Sequence, residues 1–251
     1  MTLARALEGQ VALVTGASRG IGQQVAVDLA AAGANVVFSY RSDRAGALAT
    51  VEGIERTGAC AASLQVDLRE PRSAAQLVDH AEQRFGRLDI VVSNAGVARD
   101  SVVWKMTDEQ WSEVIDTDLT ATFRLVRAAV PVMRRAGHGR IVAISSINGL
   151  RGKFGQSNYA AAKAGLIGFI RSVAREVGGY GITANVIAPG LIDTEMTTAL
   201  PAEVRARAIS ETVVGHPGTV EDVAAAVVFL AGPGARHITG AVLSVDGGQR
   251  M

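Results

Sequence analysis

Segment 146–163 carries a serine, a tyrosine and a lysine in an arrangement that could move a proton. Tyr159-Ala-Ala-Ala-Lys163 opens a run of helical spacing, so the two polar residues project from one face, one turn from each other. A phenol near its ordinary pKa of about 10 is a poor proton shuttle at neutral pH, whereas an adjacent ammonium stabilises the phenolate and lowers that pKa. Tyr159 so placed is a candidate general acid. Ser146, at the end of a β-branched run, is a candidate donor to the oxygen of a carbonyl substrate. A Tyr-x-x-x-Lys pair by itself is usually no more than a helix face with the lysine stem lying along apolar surface, so the rest of the chain must supply what such a centre would act with.

Near the N-terminus a short apolar run, Val11–Thr15, leads into Thr15-Gly16-Ala17-Ser18-Arg19-Gly20-Ile21-Gly22 and then an Ala-rich helical stretch. Glycines at 16, 20 and 22 allow a tight turn, close approach of backbone to a diphosphate and close packing of helix on strand. The helix start then offers free N–H groups and a positive dipole end to that diphosphate. An acidic residue at the end of the second strand would bond the adenosine 2′-hydroxyl and repel a 2′-phosphate. Here the strand ends Phe38-Ser39-Tyr40-Arg41-Ser42, without a carboxylate, and Arg41 with Arg19 can clamp a 2′-phosphate by charge-assisted bonds, which favours NADPH over NADH. Asp67-Leu68 and Asn94-Ala95-Gly96 end the third and fourth runs and are placed to line the same crevice, with Asp67 a candidate acceptor for the adenine amine. In that company Lys163 would also hold the nicotinamide ribose, which positions a carbonyl held by Ser146 and Tyr159 for hydride arrival.

The elements that must carry these residues follow from the alternation of short β-branched runs with longer Ala-rich ones, the pattern of βαβ units feeding a parallel sheet. Strands are expected at Val11–Thr15, Asn35–Ser39, Ala62–Val66, Asp89–Ser93, Arg140–Ser145, Ile182–Ala188 and Val242–Val245. Helices are expected at Gly22–Ala32, Ala45–Thr57, Ser73–Phe85, Asp108–Arg135, Tyr159–Val177 and Val220–Ala231. Thr107 with Gln110 reads as a capping box, and Pro131 marks a plausible kink in the long segment it belongs to. No repeat or linker divides the chain, so residues 1–251 are expected to form one α/β domain, a Rossmann-like doubly wound sheet of seven parallel strands with helices on both faces.

Composition narrows the partners. Lys+Arg total 25 against Asp+Glu 24, so no global field draws the protein to nucleic acid or an anionic membrane. The first residues lack the apolar region of a secretory signal, and the longest strongly apolar stretch, Val223–Ala231, is about half a bilayer span. A lone Cys60 excludes an intramolecular disulfide, fits a reducing compartment and is expected to pack near a strand. His80, His138, His216 and His237 are scattered without ligand spacing, so no metal site is expected. A cytoplasmic protein is the expectation.

The motifs Thr15-Gly16-x-x-x-Gly20-x-Gly22, Asn94-Ala95-Gly96, Ser146, Tyr159-x-x-x-Lys163, Pro189-Gly190 and Val245-Asp246-Gly247-Gly248 resemble the short-chain dehydrogenase/reductase family in order and spacing over nearly the whole chain. The resemblance implies hydride transfer from a nicotinamide, the triad roles given above for Ser146, Tyr159 and Lys163, and a homotetramer. It also implies cofactor contacts from Gly16 to Gly22 (Ser18, Arg19 and Ile21 included), from Asp67, Leu68, Asn94, Ala95 and Gly96, from Tyr159 and Lys163, and from Pro189 and Gly190, with Ile192 and Thr194 at the nicotinamide carboxamide. One position departs: Asp116-Thr117-Asp118-Leu119 has Asp118 where the family usually has an asparagine whose backbone carbonyl holds a water in the proton relay to the lysine. A carboxylate there would raise the lysine pKa.

Within the family, Ser145–Tyr159, Pro189–Met196 and the C-terminal Asp246-Gly-Gly are most similar to reductases of 3-oxoacyl thioesters, linked to acyl carrier protein or to CoA and serving fatty acid, polyketide or polyester synthesis. About 191–211, with Met196, Leu200 and Pro201, is the expected lid over the acyl chain. An acidic carrier protein would dock on basic residues, for which Arg134, Arg135, His138, Arg171 and Arg175 are candidates; Gly178-Gly179-Tyr180-Gly181 has no basic residue and keeps CoA esters open. The alternatives are a reductase or dehydrogenase of a free ketone or alcohol (sugar, steroid or aromatic) and a non-catalytic NADP-binding regulator.

Overall fold

The computed structural model describes residues 5–198 and 201–251; Leu200 lies outside them, as does the side chain of Met196. Seven parallel strands form one sheet: β1 (Val11–Val14), β2 (Asn35–Tyr40), β3 (Ala61–Gln65), β4 (Ile90–Ser93), β5 (Gly139–Ile144), β6 (Ile182–Pro189) and β7 (Val242–Val245). Every strand expected from the sequence is present, with its ends displaced by no more than about one residue, the ordinary uncertainty of a boundary. The spatial order is β3-β2-β1-β4-β5-β6-β7. The chain therefore winds outward in both directions from β1 and β4, and the loops leaving those two strands part to open a crevice at their carboxyl ends.

The helices are α1 (Gly20–Ala31), α2 (Arg44–Glu55), α3 (Ser73–Phe85), α4 (Asp108–Val114), α5 (Ala121–Ala136), α6 (Asn148–Arg151), α7 (Ser157–Val177), α8 (Glu195–Thr198), α9 (Ala202–Ser210) and α10 (Val220–Ala231). They bury both faces of the sheet, which is why its strands read as continuous apolar runs. Along β1, Ala12 and Val14 join Val25 and Leu29 of α1 and Val227 of α10 in one core, while Val11 and Leu13 join Leu77 of α3, Leu125 of α5 and Ile170 of α7 in the other. No described helix is long and apolar enough to cross a membrane.

Two expectations need correction. Segment 108–135 is not one α-helix: between α4 and α5 the winding widens to a π-helix at Ile115–Thr120, while Pro131 lies inside α5. Periodicity cannot distinguish a single wide turn from α spacing, and such turns cluster at functional sites. Cys60 is exposed rather than packed, because it precedes β3 at the sheet edge, where its N–H donates to Asn35 Oδ1 at 2.9 Å. The capping box on α4 is present, with Gln110 N–H on Thr107 Oγ1 at 3.2 Å and Thr107 N–H on Gln110 Oε1 at 3.0 Å.

Candidate active site

The glycine turn after β1 is clamped from two sides. Asn94, just past β4, donates through Nδ2 to the carbonyls of Thr15 and Gly16, both at 3.0 Å, while Thr15 Oγ1 accepts from the N–H groups of Asn94 and Ala95 at 3.0 and 3.2 Å. From the β2 side, Ser39 Oγ accepts from Gly16 N–H at 3.2 Å and Thr50 Oγ1 donates to Ala17 O at 2.8 Å. Gly16 stands at φ +66°, and a Cβ there would lie 2.9 Å from Ala95 Cα; a Cβ on Gly22 would collide with Asn94 Nδ2 and the Gly16 carbonyl. Only glycines allow this approach of turn to strand end.

Arg19 precedes α1 and makes no side-chain cap, and the first turn of α1 holds no acidic residue. The first N–H groups of α1 are thus left to a ligand of negative charge. Arg19 and Arg41 are both exposed at this edge. These features fit a dinucleotide diphosphate beside β1.

The proton-transfer candidates sit where β5 meets α7. Lys163 is 3% exposed and donates from Nζ to the Ile144 carbonyl, the last of β5, at 3.1 Å, while Ser145 Oγ donates to the Lys163 carbonyl at 2.8 Å. Gly149 lets α6 lie against this helix, since a Cβ on it would come within 2.7 Å of the Lys163 backbone. One turn before, the Tyr159 ring has its centroid 5.5 Å from Lys163 Nζ. Ser146 is 8% exposed, and its Oγ accepts from Asn148 N–H at 3.1 Å, which leaves its own O–H free to donate.

Asp118 closes the group from the π-helical turn. Its Oδ1 accepts from Val97 N–H at 2.8 Å and its Oδ2 lies 3.1 Å from Lys163 Nζ, at an angle short of a hydrogen bond. Burial lifts the Asp118 carboxyl above its ordinary range, with Lys163 and the Val97 N–H pulling against that. Burial alone would lower Lys163, but Asp118, and after it Tyr159, hold the lysine above its ordinary value. The direction expected from the sequence is the one found.

A family model described as Enoyl-(Acyl carrier protein) reductase matches residues 16–250. The chain is 46% identical over 244 residues to the 3-oxoacyl-[acyl-carrier-protein] reductase FabG of Escherichia coli, covering 97% of this chain and 98% of that protein. It is 44% identical to the Pseudomonas aeruginosa protein of the same name, with 98% and 99% covered, and 40% identical to that of Staphylococcus aureus, with 96% and 98% covered. The chain belongs to the short-chain dehydrogenase/reductase family. Membership makes it an oxidoreductase and implies a nicotinamide cofactor.

The remaining residues that the resemblance nominated divide into two groups. Pro189 ends β6, and Gly190 fits against Asp246, whose Cα would lie 2.8 Å from a Cβ there. Ile192 is 3% exposed with its side chain in the core, so whatever it offers a short-chain reductase ligand comes from its backbone. Thr194 Cγ2 lies 3.8 Å from the position of a Gly20 Cβ, and Glu195 faces Arg19 at 3.7 Å, so the segment after β6 lies against the glycine turn. Asp67 is engaged by Arg69, through two guanidinium nitrogens and a backbone N–H, and Arg69 holds its carboxyl below the usual range. A shallow hollow of about 500 Å³ beside it, lined by Val66, Asp67, Arg72 and Ser73, contains none of the proton-transfer residues. Among the basic candidates, Arg134, Arg135, Arg171 and Arg175 are all exposed, Arg134 stacking on Tyr180 and Arg135 pairing with Glu82, while His138 is half-buried and lowered by burial and Arg140.

Sequence reasoning missed the supports. Gln156 donates to the Asp100 carboxylate at 3.0 and 3.1 Å and accepts from Asn148 Nδ2 at 3.0 Å, which ties the Ser146 loop to the loop after β4. Gln249 accepts from Leu191 N–H at 2.8 Å and donates to Ala208 O and Glu211, which ties the C-terminal segment to both ends of segment 191–211. These are pairs far apart in the chain, and single amides carry no spacing that announces them. The loops carrying Trp104 and Phe154, joined by Ser101 N–H on Gly155 O at 2.8 Å, leave both aromatics exposed at 74% and 86%.

Proposed function

We propose that this protein reduces the 3-oxo group of an acyl thioester to the 3-hydroxy group with NADPH. The observation that carries the reading is the Ser146, Tyr159 and Lys163 group at the β5–α7 junction, one strand from the crevice that β1 and β4 open. Bound there, NADPH supplies the hydride to the carbonyl carbon. The Ser146 hydroxyl, with its donor free, holds the carbonyl oxygen, and Tyr159 gives that oxygen its proton. Lys163 supplies the positive charge beside Tyr159 and a donor for the ribose. The glycine turn and the start of α1 would hold the diphosphate, Arg19 and Arg41 the 2′-phosphate, Asp67 and Leu68 the adenine, and Asn94 to Gly96 the inner crevice, with Pro189, Gly190, Ile192 and Thr194 at the carboxamide.

The names of the relatives support a carrier-linked 3-oxoacyl substrate, and the exposed Trp104 and Phe154 offer apolar surface to an acyl chain. Exposed Arg134, Arg135, Arg171 and Arg175 offer basic surface to an acidic carrier, with Arg171 and Arg175 on α7. The exposed apolar side chains Trp111, Phe123, Phe229 and Leu243 support a homotetramer, and we place it in the cytoplasm. The deciding measurement is reduced-cofactor oxidation with acetoacetyl-CoA, a carrier-linked 3-oxoacyl thioester, an enoyl thioester and free ketones, each with NADPH and NADH. Turnover confined to 3-oxoacyl thioesters with NADPH is expected. Turnover of free ketones or enoyl thioesters alone would overturn the substrate.

A further inference from the structure

Lys163 is a fully buried ammonium, and what keeps it charged is a property of this chain. Of its three N–H groups one serves Ile144 O, and another faces Asp118 Oδ2 across 3.1 Å. Asp118 is 1% exposed and fixed at both ends: Val97 N–H holds Oδ1, and the Thr122 hydroxyl donates to the Asp118 backbone carbonyl at 3.0 Å. Above the pair, a Cβ on Gly96 would lie 2.8 Å from Asp118 Oδ2 and 3.2 Å from Lys163 Nζ, so the contact is covered by a residue with no side chain. An asparagine in this place would give the same shape and no charge.

We propose that the Asp118 carboxylate is a positioning residue that keeps Lys163 charged and aimed beside Tyr159. The inference rests on the assignment of Lys163 to the proton-transfer centre. The other charged groups on elements packed against α7 are committed elsewhere or lie on outward faces. Glu113 pairs with Arg99, Arg151 with Glu211 and Arg135 with Glu82; Arg124 donates to Arg69 O; Arg127 and Arg134 stack on Phe123 and Tyr180. Asp108 and Glu109 are exposed at the start of α4, and Asp116, half-buried on the π-helical turn, has no ion pair among the described residues. Among the described charged residues, Asp118 alone stands in contact with the ammonium.

The test is Asp118→Asn, which keeps an acceptor for Val97 N–H and removes only the charge. The alkaline limb of the kcat profile is expected to fall by about one pH unit or more, so that the loss of kcat grows as pH rises, because an opposite charge at this distance shifts a partner by that order. An unmoved limb, or an equal loss of kcat at every pH, would overturn the proposal. A second measurement needs neither turnover nor the variant. The chain has three lysines, Lys105, Lys153 and Lys163, so the Lys163 side chain can be followed by NMR in the wild-type protein labelled at lysine carbons. Titration above the ordinary lysine value is expected, and titration below it would sink the idea. Failure of the thioester assay leaves this result standing, so the two readings fail separately.

Discussion

Two kinds of ion pair hold this molecule, and their surroundings decide what each can do. Asp118 and Lys163 are 0% and 3% exposed in their side chains, whereas Arg205 pairs with Asp193 at 2.7 Å within segment 191–211 and Arg151 ties that segment to α6 through Glu211 at 3.0 Å, all between 31% and 39% exposed. Out of water, an unpartnered charge is very costly and the electrostatic consequence of each substitution is large. In contact with water, the same pairing is screened and worth about 0–1 kcal/mol. The buried pair is suited to fixing a chemical state, and the exposed ones to a contact that opens and recloses.

The largest effect is expected at the centre itself. Tyr159→Phe removes the proposed proton donor and leaves the turn and the helix start untouched, so turnover should fall by about 10²–10⁴-fold while NADPH still binds. Binding by fluorescence or calorimetry beside the turnover assay checks both halves. Turnover within a few-fold of wild type would remove Tyr159 from the mechanism and break the contrast between the two regions.

Gly22→Ala comes next. Its methyl would meet Asn94 Nδ2 and the Gly16 carbonyl, which belong to the clamp on the turn, so the backbone must shift at a cost of about 1–3 kcal/mol. NADPH affinity should drop by tenfold or more, with thermal stability lowered. Unchanged affinity would show that the turn is not the diphosphate site. A smaller, selective effect is expected for Arg41→Ala. Arg41 is exposed, so the fold should be unaffected, NADPH binding should weaken several-fold, and NADH binding should stay the same. Equal losses for both cofactors would refute a 2′-phosphate role.

How far the sequence announced each region follows the same contrast. The glycine turn, Tyr159-x-x-x-Lys163 and the seven strands were legible because each is local: a period, a cap or a fixed spacing within one element. Even the direction of the Lys163 shift followed from one residue, Asp118, at a recognisable position. Segment 191–211 was marked as an expected lid only by its mixed composition. What pins it, Gln249 on Leu191 and Arg151 on Glu211, joins residues 58 and 60 positions apart. Neither residue type nor spacing marks such a contact. The π-helical turn was hidden for a related reason, since one extra residue in a turn leaves the apolar stripe on either side intact.

The smallest expected effect tests the exposed side of the comparison. Arg151 reaches from α6, beside Ser146, to Glu211 just past α9, and its second nitrogen donates to the Gln249 carbonyl at 3.0 Å. Burial tends to raise Glu211, but Arg151, Gln249 and Arg207 together hold it below its ordinary value. A carboxyl lowered in the folded state contributes stability that is present above the ordinary carboxylate value and lost as pH falls through the lowered one. The latch should therefore be closed at neutral pH and loosen only in acid. Arg151→Ala and Glu211→Gln should each change KM for the thioester by only a few-fold at neutral pH, leave kcat nearly as it was, and be less than additive when combined, because they break one contact. High salt should mimic them. Strict additivity would show that the two residues act separately. A fall in kcat comparable to that of Tyr159→Phe would mean that this exposed pair governs the chemical state as the buried one does, and the distinction drawn from burial would fail.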